Sequence, residues 1–131
     1  MDITAAADAM YAISDFICLE QRKAIRELVY GEEGQFFADK LVELRGIIEN
    51  MPKTYETEDL PAEKKLAQIH YFKCGWDWYI IEKDVEQEQL QAFGVVKGAE
   101  TECGYINIQE LMEIGAEIDL HFTPTPYREL L

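Results

Sequence analysis

The chain is 131 residues long, 48% apolar and 29% charged, and its 26 Asp and Glu against 12 Lys and Arg give a formal charge of −14. That length fits one domain with its own core, and that charge excludes a basic face able to release counterions from nucleic acid or to settle on an anionic membrane surface. Three cysteines, Cys18, Cys74 and Cys103, an odd number, widely spaced and without a CxxC, argue against a disulfide framework and read as reduced thiols.

The N-terminus, Met1-Asp2-Ile3-Thr4-Ala5, lacks the basic-then-apolar pattern of a secretory leader. No stretch approaches about 18 consecutive apolar residues, so a cytoplasmic protein without a membrane span is expected. Residues 5–13 are alanine-rich and follow two capping candidates, Asp2 and Thr4. A second helix is expected over 19–30, with Ile25, Leu28 and Val29 on one side and Gly31 as its stop. The third, 33–50, carries the clearest pattern: Phe37, Leu41, Leu44, Ile48 and Met51 follow at spacings of four, three, four and three, one apolar stripe. Glu32 and Glu33 favour its N-terminus through the helix dipole, and Asn50 and Pro52 end it.

Residues 53–65 are polar, contain Pro61, and read as a connector within one domain. From Leu66 the period becomes two. A strand is expected over 66–72, a tight turn at Cys74-Gly75, and a second strand over 76–83, forming a hairpin. An acidic connection over 84–89 leads to a third strand, 90–96. A fourth strand, 103–107, is followed by a short helix opened by Asn107 or Ile108 and closed by Gly115. The last strand, 116–122, alternates: Ala116, Ile118, Leu120 and Phe122 on one face, Glu117, Asp119 and His121 on the other. Thr123-Pro124-Thr125-Pro126 cannot continue a central strand. The expected fold is α+β: N-terminal helices, residues 1–51, packed on a C-terminal antiparallel sheet of about five strands, residues 66–131, with one short helix before the last strand.

Chemistry-bearing patterns are weak. A four-ligand zinc set from His70, Cys74, Cys103 and His121 has no supporting spacing, and neither a metal nor a cofactor is expected. Cys74 beside Lys73 is the most exposed thiol candidate, but a cysteine in a turn needs no catalytic role. Ser14 is the only serine, and Gly94 and Gly98 belong to no phosphate-binding loop. Carboxylates crowd Glu82, Asp84, Glu86 and Glu88, and Glu117 and Asp119 share a face with His121. Such groups can do acid–base work, although 26 acids in one small chain also cluster by chance on a solvated face. The run Trp76-Asp77-Trp78-Tyr79 lacks the positive groove that base stacking requires, so it reads as core or protein contact.

Six blocks in order carry a resemblance: Met51-Pro52-Lys53-Thr54-Tyr55, Ile69-His70-Tyr71-Phe72, Asp77-Trp78-Tyr79-Ile80-Ile81-Glu82-Lys83-Asp84, Gln91-Ala92-Phe93-Gly94, Gly104-Tyr105-Ile106-Asn107-Ile108-Gln109-Glu110-Leu111, and Glu117-Ile118-Asp119-Leu120-His121-Phe122-Thr123-Pro124. Over roughly residues 35–131 the chain resembles an uncharacterised domain-of-unknown-function family of bacteria, phages and plasmids. Cys103 departs from the aliphatic residue that the family pattern places before Gly-Tyr. The resemblance implies an accessory protein of mobile DNA and transfers no catalytic residue.

The functional expectation is a non-enzymatic acidic module that binds a basic protein partner, in the manner of a DNA mimic, without itself binding nucleic acid or membrane. Its candidate interaction or ligand residues are Trp78, Tyr79, Glu82, Asp84, Glu102, Tyr105, Glu117, Asp119 and His121. The stretch from Gly98 to Tyr127, with six acids and no Lys or Arg, motivates it. Two alternatives stand beside it: a carboxylate and aromatic cleft that binds a small ligand or acts as an enzyme, and a structural subunit or homodimer built on the Trp76–Tyr79 hairpin.

Overall fold

A computed structural model describes residues 3–83 and 91–130. Helices α1 (Ile3–Ala12), α2 (Leu19–Val29) and α3 (Gly34–Asn50) come first, with a 3-10 turn at Ser14–Phe16. The stripe of α3 is buried at Leu41, Leu44 and Ile48, with Ala38 beside it and Phe37 half-buried against the core. Helices α1 and α2 both pack against α3. Ala6 and Ala9 are the buried residues of α1, and their small side chains let the helix approach closely.

The strands are β1 (Leu66–Ala67), β2 (Ile69–Lys73), β3 (Trp76–Glu82), β4 (Gln91–Lys97), β5 (Thr101–Asn107), β6 (Glu117–Ile118) and β7 (Thr125–Pro126), with α4 (Ile108–Glu113) before β6. Five of them form one antiparallel sheet in the order β5-β4-β3-β2-β6. The fold is α+β, with α4 carrying the chain from one edge of the sheet to the other. Asn107 caps α4, its side-chain oxygen accepting the Glu110 N–H at 3.0 Å.

Local chemistry sets the register. At the β2–β3 hairpin, Lys73 pairs with Trp76 across Cys74 (φ 50°) and Gly75 (φ 84°). Two positive φ values in a two-residue loop match the twist of the flanking strands. Between Ile80 and Glu82 the pairing with β4 slips, and Ile80, Ile81 and Glu82 are all buried, which strict alternation forbids. Gly94 lies opposite this bulge, where a Cβ would come 1.9 Å from the Tyr79 carbonyl oxygen. Only glycine fits there.

The helices cover one face of the sheet through Ile69, Tyr71, Ile80, Ala92, Ile106 and Ile118. Tyr71 is fully buried, and its hydroxyl donates to the Phe16 carbonyl at 2.5 Å. A smaller cluster of Ala67, Ile81, Val95 and Leu130, joined by Tyr79, Phe122 and Tyr127, forms on the residues that alternate with the first set.

Two expected strands are corrected. The strand over 66–72 is divided: β1 leaves the main sheet to pair with β7, and β2 alone continues within it. The strand over 116–122 is only two residues long. Asp119 donates its N–H to the His70 carbonyl at 2.8 Å, then its own side chain accepts the His121 N–H at 2.9 Å and its carbonyl accepts from Phe122 at 3.3 Å. That local turn ends the ladder. Ala116, Ile118 and Leu120 pack together on the helical core as the alternation predicts, and Phe122 alone leaves that face for the second cluster.

Candidate functional site

The sheet places polar side chains in two arrangements. The first is built on the bulge. Glu82 is 4% exposed, and its carboxylate accepts the Tyr55 N–H at 2.9 Å and the Thr57 N–H at 2.8 Å, with the Thr57 hydroxyl as a third, close donor. The neighbouring Lys83 reaches the other way, donating from Nζ to the Ile48 and Glu49 carbonyls at 2.8 and 3.1 Å, the last turn of α3. Its backbone binds the Pro52 carbonyl and the Thr54 N–H. The connector over 53–65, polar in sequence, is thus fastened to β3 in its first half.

Beside Glu82 lies a cleft of about 200 Å³ lined by Tyr55, Glu58, Lys65, Phe93 and Tyr105. The Tyr55 and Tyr105 hydroxyls meet at 2.7 Å across it, and this hydrogen bond, with burial, raises the Tyr105 hydroxyl above its ordinary value. Tyr55 adopts φ 75°, the strained left-handed region, to make the Glu82 contact.

The second arrangement centres on His70. Its Nε2 lies 2.7 Å from Asp77 and its Nδ1 3.2 Å from Asp119, so both ring nitrogens face carboxylates. The ring stacks on Tyr79 with centroids 4.4 Å apart and 9° between planes, and Phe72 and Phe122 flank it. Burial, then the charges of Asp77 and Asp119, raise the Tyr79 hydroxyl. This histidine has no hydroxyl or thiol to activate within its hydrogen bonds. Its geometry orients two acids and does not form a nucleophile–base pair.

The candidate residues therefore divide. Tyr79 and Asp119 meet through His70, and Glu82 and Tyr105 meet at the cleft. Trp78 packs against the helical core. Glu102 is exposed on the edge strand β5, Glu117 is exposed on β6, and His121 stacks on Phe36 of α3 at 5.8 Å. Asp84 and the acidic connection over 84–89 lie outside the described residues. The expected face shared by Glu117, Asp119 and His121 does not form, because the turn at Asp119 sends His121 to α3. The four-residue zinc set is likewise dispersed: Cys103 contacts the Tyr127 hydroxyl, Cys74 is exposed at the hairpin tip, and His70 and His121 are engaged as described.

Against family models, characterised proteins and solved structures, nothing matches this chain. Its geometry is the basis for a functional reading.

Ion pairs are distributed unevenly between the halves. Among the described residues, three pairs join a carboxylate to Lys or Arg: Lys23–Glu20, Lys40–Glu43 and Arg45–Glu49, all on α2 and α3. Glu100, Glu102, Glu110, Glu113 and Glu117 are exposed and belong to no such pair. The two edges of the sheet also differ. At β6 the Gln21 side chain imitates a strand, donating to the Ile118 carbonyl and accepting its N–H, each at 2.8 Å. The outer edge of β5 has no strand beside it among the described residues. No described helix is long and apolar enough to cross a membrane.

Sequence reasoning missed His70, Asp77, Tyr55, Thr57 and Lys83. One signal was readable: once Cys74-Gly75 is fixed as a two-residue turn, counting outward places His70 opposite Tyr79.

Proposed function

We propose that this protein is a non-enzymatic acidic interaction module that docks on a basic surface of a protein partner, a surface of the kind that otherwise holds nucleic acid. The observation that carries this reading is the run from Gly98 to Tyr127, which holds six acids and no Lys or Arg. Within it Glu100, Glu102, Glu110, Glu113 and Glu117 are exposed, and among the described residues none of them is paired with Lys or Arg. Unpaired surface charge steers association and selects partners of opposite sign. Among the described residues no strand lies beyond β5, and Glu102 and Tyr105 are exposed on it. The resemblance of the blocks over 35–131 to a mobile-element family supplies a setting in which such imitation of DNA is useful, and three free thiols fit the reducing cytoplasm.

The two other readings have less support. Both oxygens of Glu82 already accept hydrogen bonds from the chain itself, which makes this carboxylate an anchor. In the hairpin, Trp78 is turned into the core, leaving Trp76, 45% exposed, as the main apolar surface for a homodimer.

The test is competition. The immobilised protein captures a basic partner at low salt, and the free protein then displaces nucleic acid from that partner. Substituting Glu100, Glu102, Glu110 and Glu113 together by Gln should abolish displacement, and capture should fade as salt rises. Recovery of no basic partner at low salt, or equal displacement by the substituted protein, overturns the reading.

A further inference from the structure

Helices α1 and α2 lie on α3 with a groove of about 430 Å³ between them, within the range of small-molecule sites. Its apolar wall is Ile3, Ala6, Met10, Val29 and Leu41. Its polar wall is Arg22 and Arg26, one turn apart on α2, with the side chains of Ser14, Tyr11 and Tyr30 adding hydroxyls. Among the described residues no Asp or Glu lines it, although the chain carries 26 acids.

The arginines themselves point to a ligand. Of the five basic residues in the helical half, Lys23, Lys40 and Arg45 are paired with carboxylates, and the two without such a partner among the described residues both line this groove. The Nε of Arg22 is buried with no hydrogen-bond acceptor. That leaves the Arg22 guanidinium short of one partner, and an anion in the groove would meet the charge of Arg22 and Arg26 together. Tyr11 and Tyr30 stand 85% and 68% exposed at the rim, large rings left uncovered beside an apolar floor.

We propose that this groove binds a small anionic amphiphile: a carboxylate on Arg22 and Arg26, and an unbranched or aromatic apolar body along Ile3, Met10, Val29 and Leu41. The site is independent of the acidic surface of β5 and α4. It also runs against the field of the whole molecule, since a charge of −14 favours cations everywhere except where local arginines outweigh it.

Decanoate, kept below its micelle concentration, is the probe, with decanol and decylammonium as controls in an amide NMR titration. Decanoate should shift Ile3, Ala6, Met10, Val29 and Leu41 and bind more tightly than either control. Arg26→Gln, on an exposed position, should weaken decanoate about tenfold and leave decanol unchanged. Arg22→Lys, which keeps the charge but removes the fork, should also weaken it. The proposal is overturned if decylammonium or decanol binds as well as decanoate, if the shifts fall elsewhere, or if folded Arg26→Gln retains full affinity. It is also overturned if sedimentation shows a dimer that dissociates as decanoate binds, because the groove is then an interface between copies.

Discussion

Glu82 holds the Thr57 N–H at 2.8 Å across 25 residues of chain, and it does so from a position that is 4% exposed. Glu82→Gln keeps the shape but turns one accepting oxygen into a donor that faces other donors. Urea unfolding should show a loss of about 2 to 3 kcal/mol for this substitution. Thr57→Val, which removes only the hydroxyl, should lose about 1 kcal/mol. An unchanged midpoint for Glu82→Gln would mean that the connector is held by Lys83 and Pro52 alone.

The pairing of His70 with two acids gives a second prediction. His70→Phe preserves the stack on Tyr79 but removes both ring nitrogens, leaving Asp77 and Asp119 without the partner between them. The expected loss is about 1 to 2 kcal/mol in urea unfolding, smaller at high salt, where repulsion between the partly exposed acids is screened. A loss that does not change with salt would assign the effect to packing of the ring.

Gly94 gives the sharpest steric test. A Cβ at this position would meet the Tyr79 carbonyl at 1.9 Å, and that obstacle is backbone, so no side chain can rotate to relieve it. Gly94→Ala should cost about 2 kcal/mol or more and lower the thermal midpoint, whereas Gly104→Ala on β5, with open space at its Cβ, serves as the tolerated control.

Alkaline pH supplies the fourth. Burial pushes the Tyr71 hydroxyl well above its ordinary value of 10.0, and the contact with Cys103, with burial, pushes Tyr127 up to about 12. The folded protein keeps protons there that the unfolded chain releases. The stability these two contribute is therefore intact below pH 10.0 and is lost as pH rises towards 12. Lys83 has the opposite sign. Burial lowers it below 10.5, so the penalty for its charge fades as pH approaches that value. A tyrosinate absorbance titration should find one group with a midpoint of about 12, and Cys103→Ala should bring that midpoint down.

The elements readable in the sequence were those whose cause is local. The stripe of α3, the turn at Cys74-Gly75 and the start of α4 at Asn107 or Ile108 each depend on residues a few positions apart, and the structure contains all three, with Asn107 as the cap. The strand over 116–122 was misread because alternation in hydrophobicity records only which side chains are apolar. It does not record that the Asp119 side chain competes for the His121 N–H. The fastening of the connector to β3 was not legible for a different reason. Thr54 and Thr57 are ordinary polar residues in a polar stretch, and they are held by the Lys83 carbonyl and the Glu82 carboxylate, which the end of β3 brings into place. Of the candidate site, Glu82, Tyr105, Tyr79 and Asp119 were named from the sequence. The residues that connect them, Tyr55 and His70, belong to contacts made only on folding.

Two adjacent residues, Glu82 and Lys83, grip the connector and the end of α3 in opposite directions. Past that fastening, Glu58, Asp59, Leu60 and Pro61 are exposed, and the chain is next held by the 3-10 turn at Ala62–Lys64, which packs against β7 and Tyr127–Leu130, and by Lys65, whose carbonyl accepts from Tyr127. The segment between is a natural opening in the covalent path. A nick or a reporter inserted at Leu60–Pro61 should leave both pieces assembled, so the protein can be split there and reconstituted from separately expressed fragments.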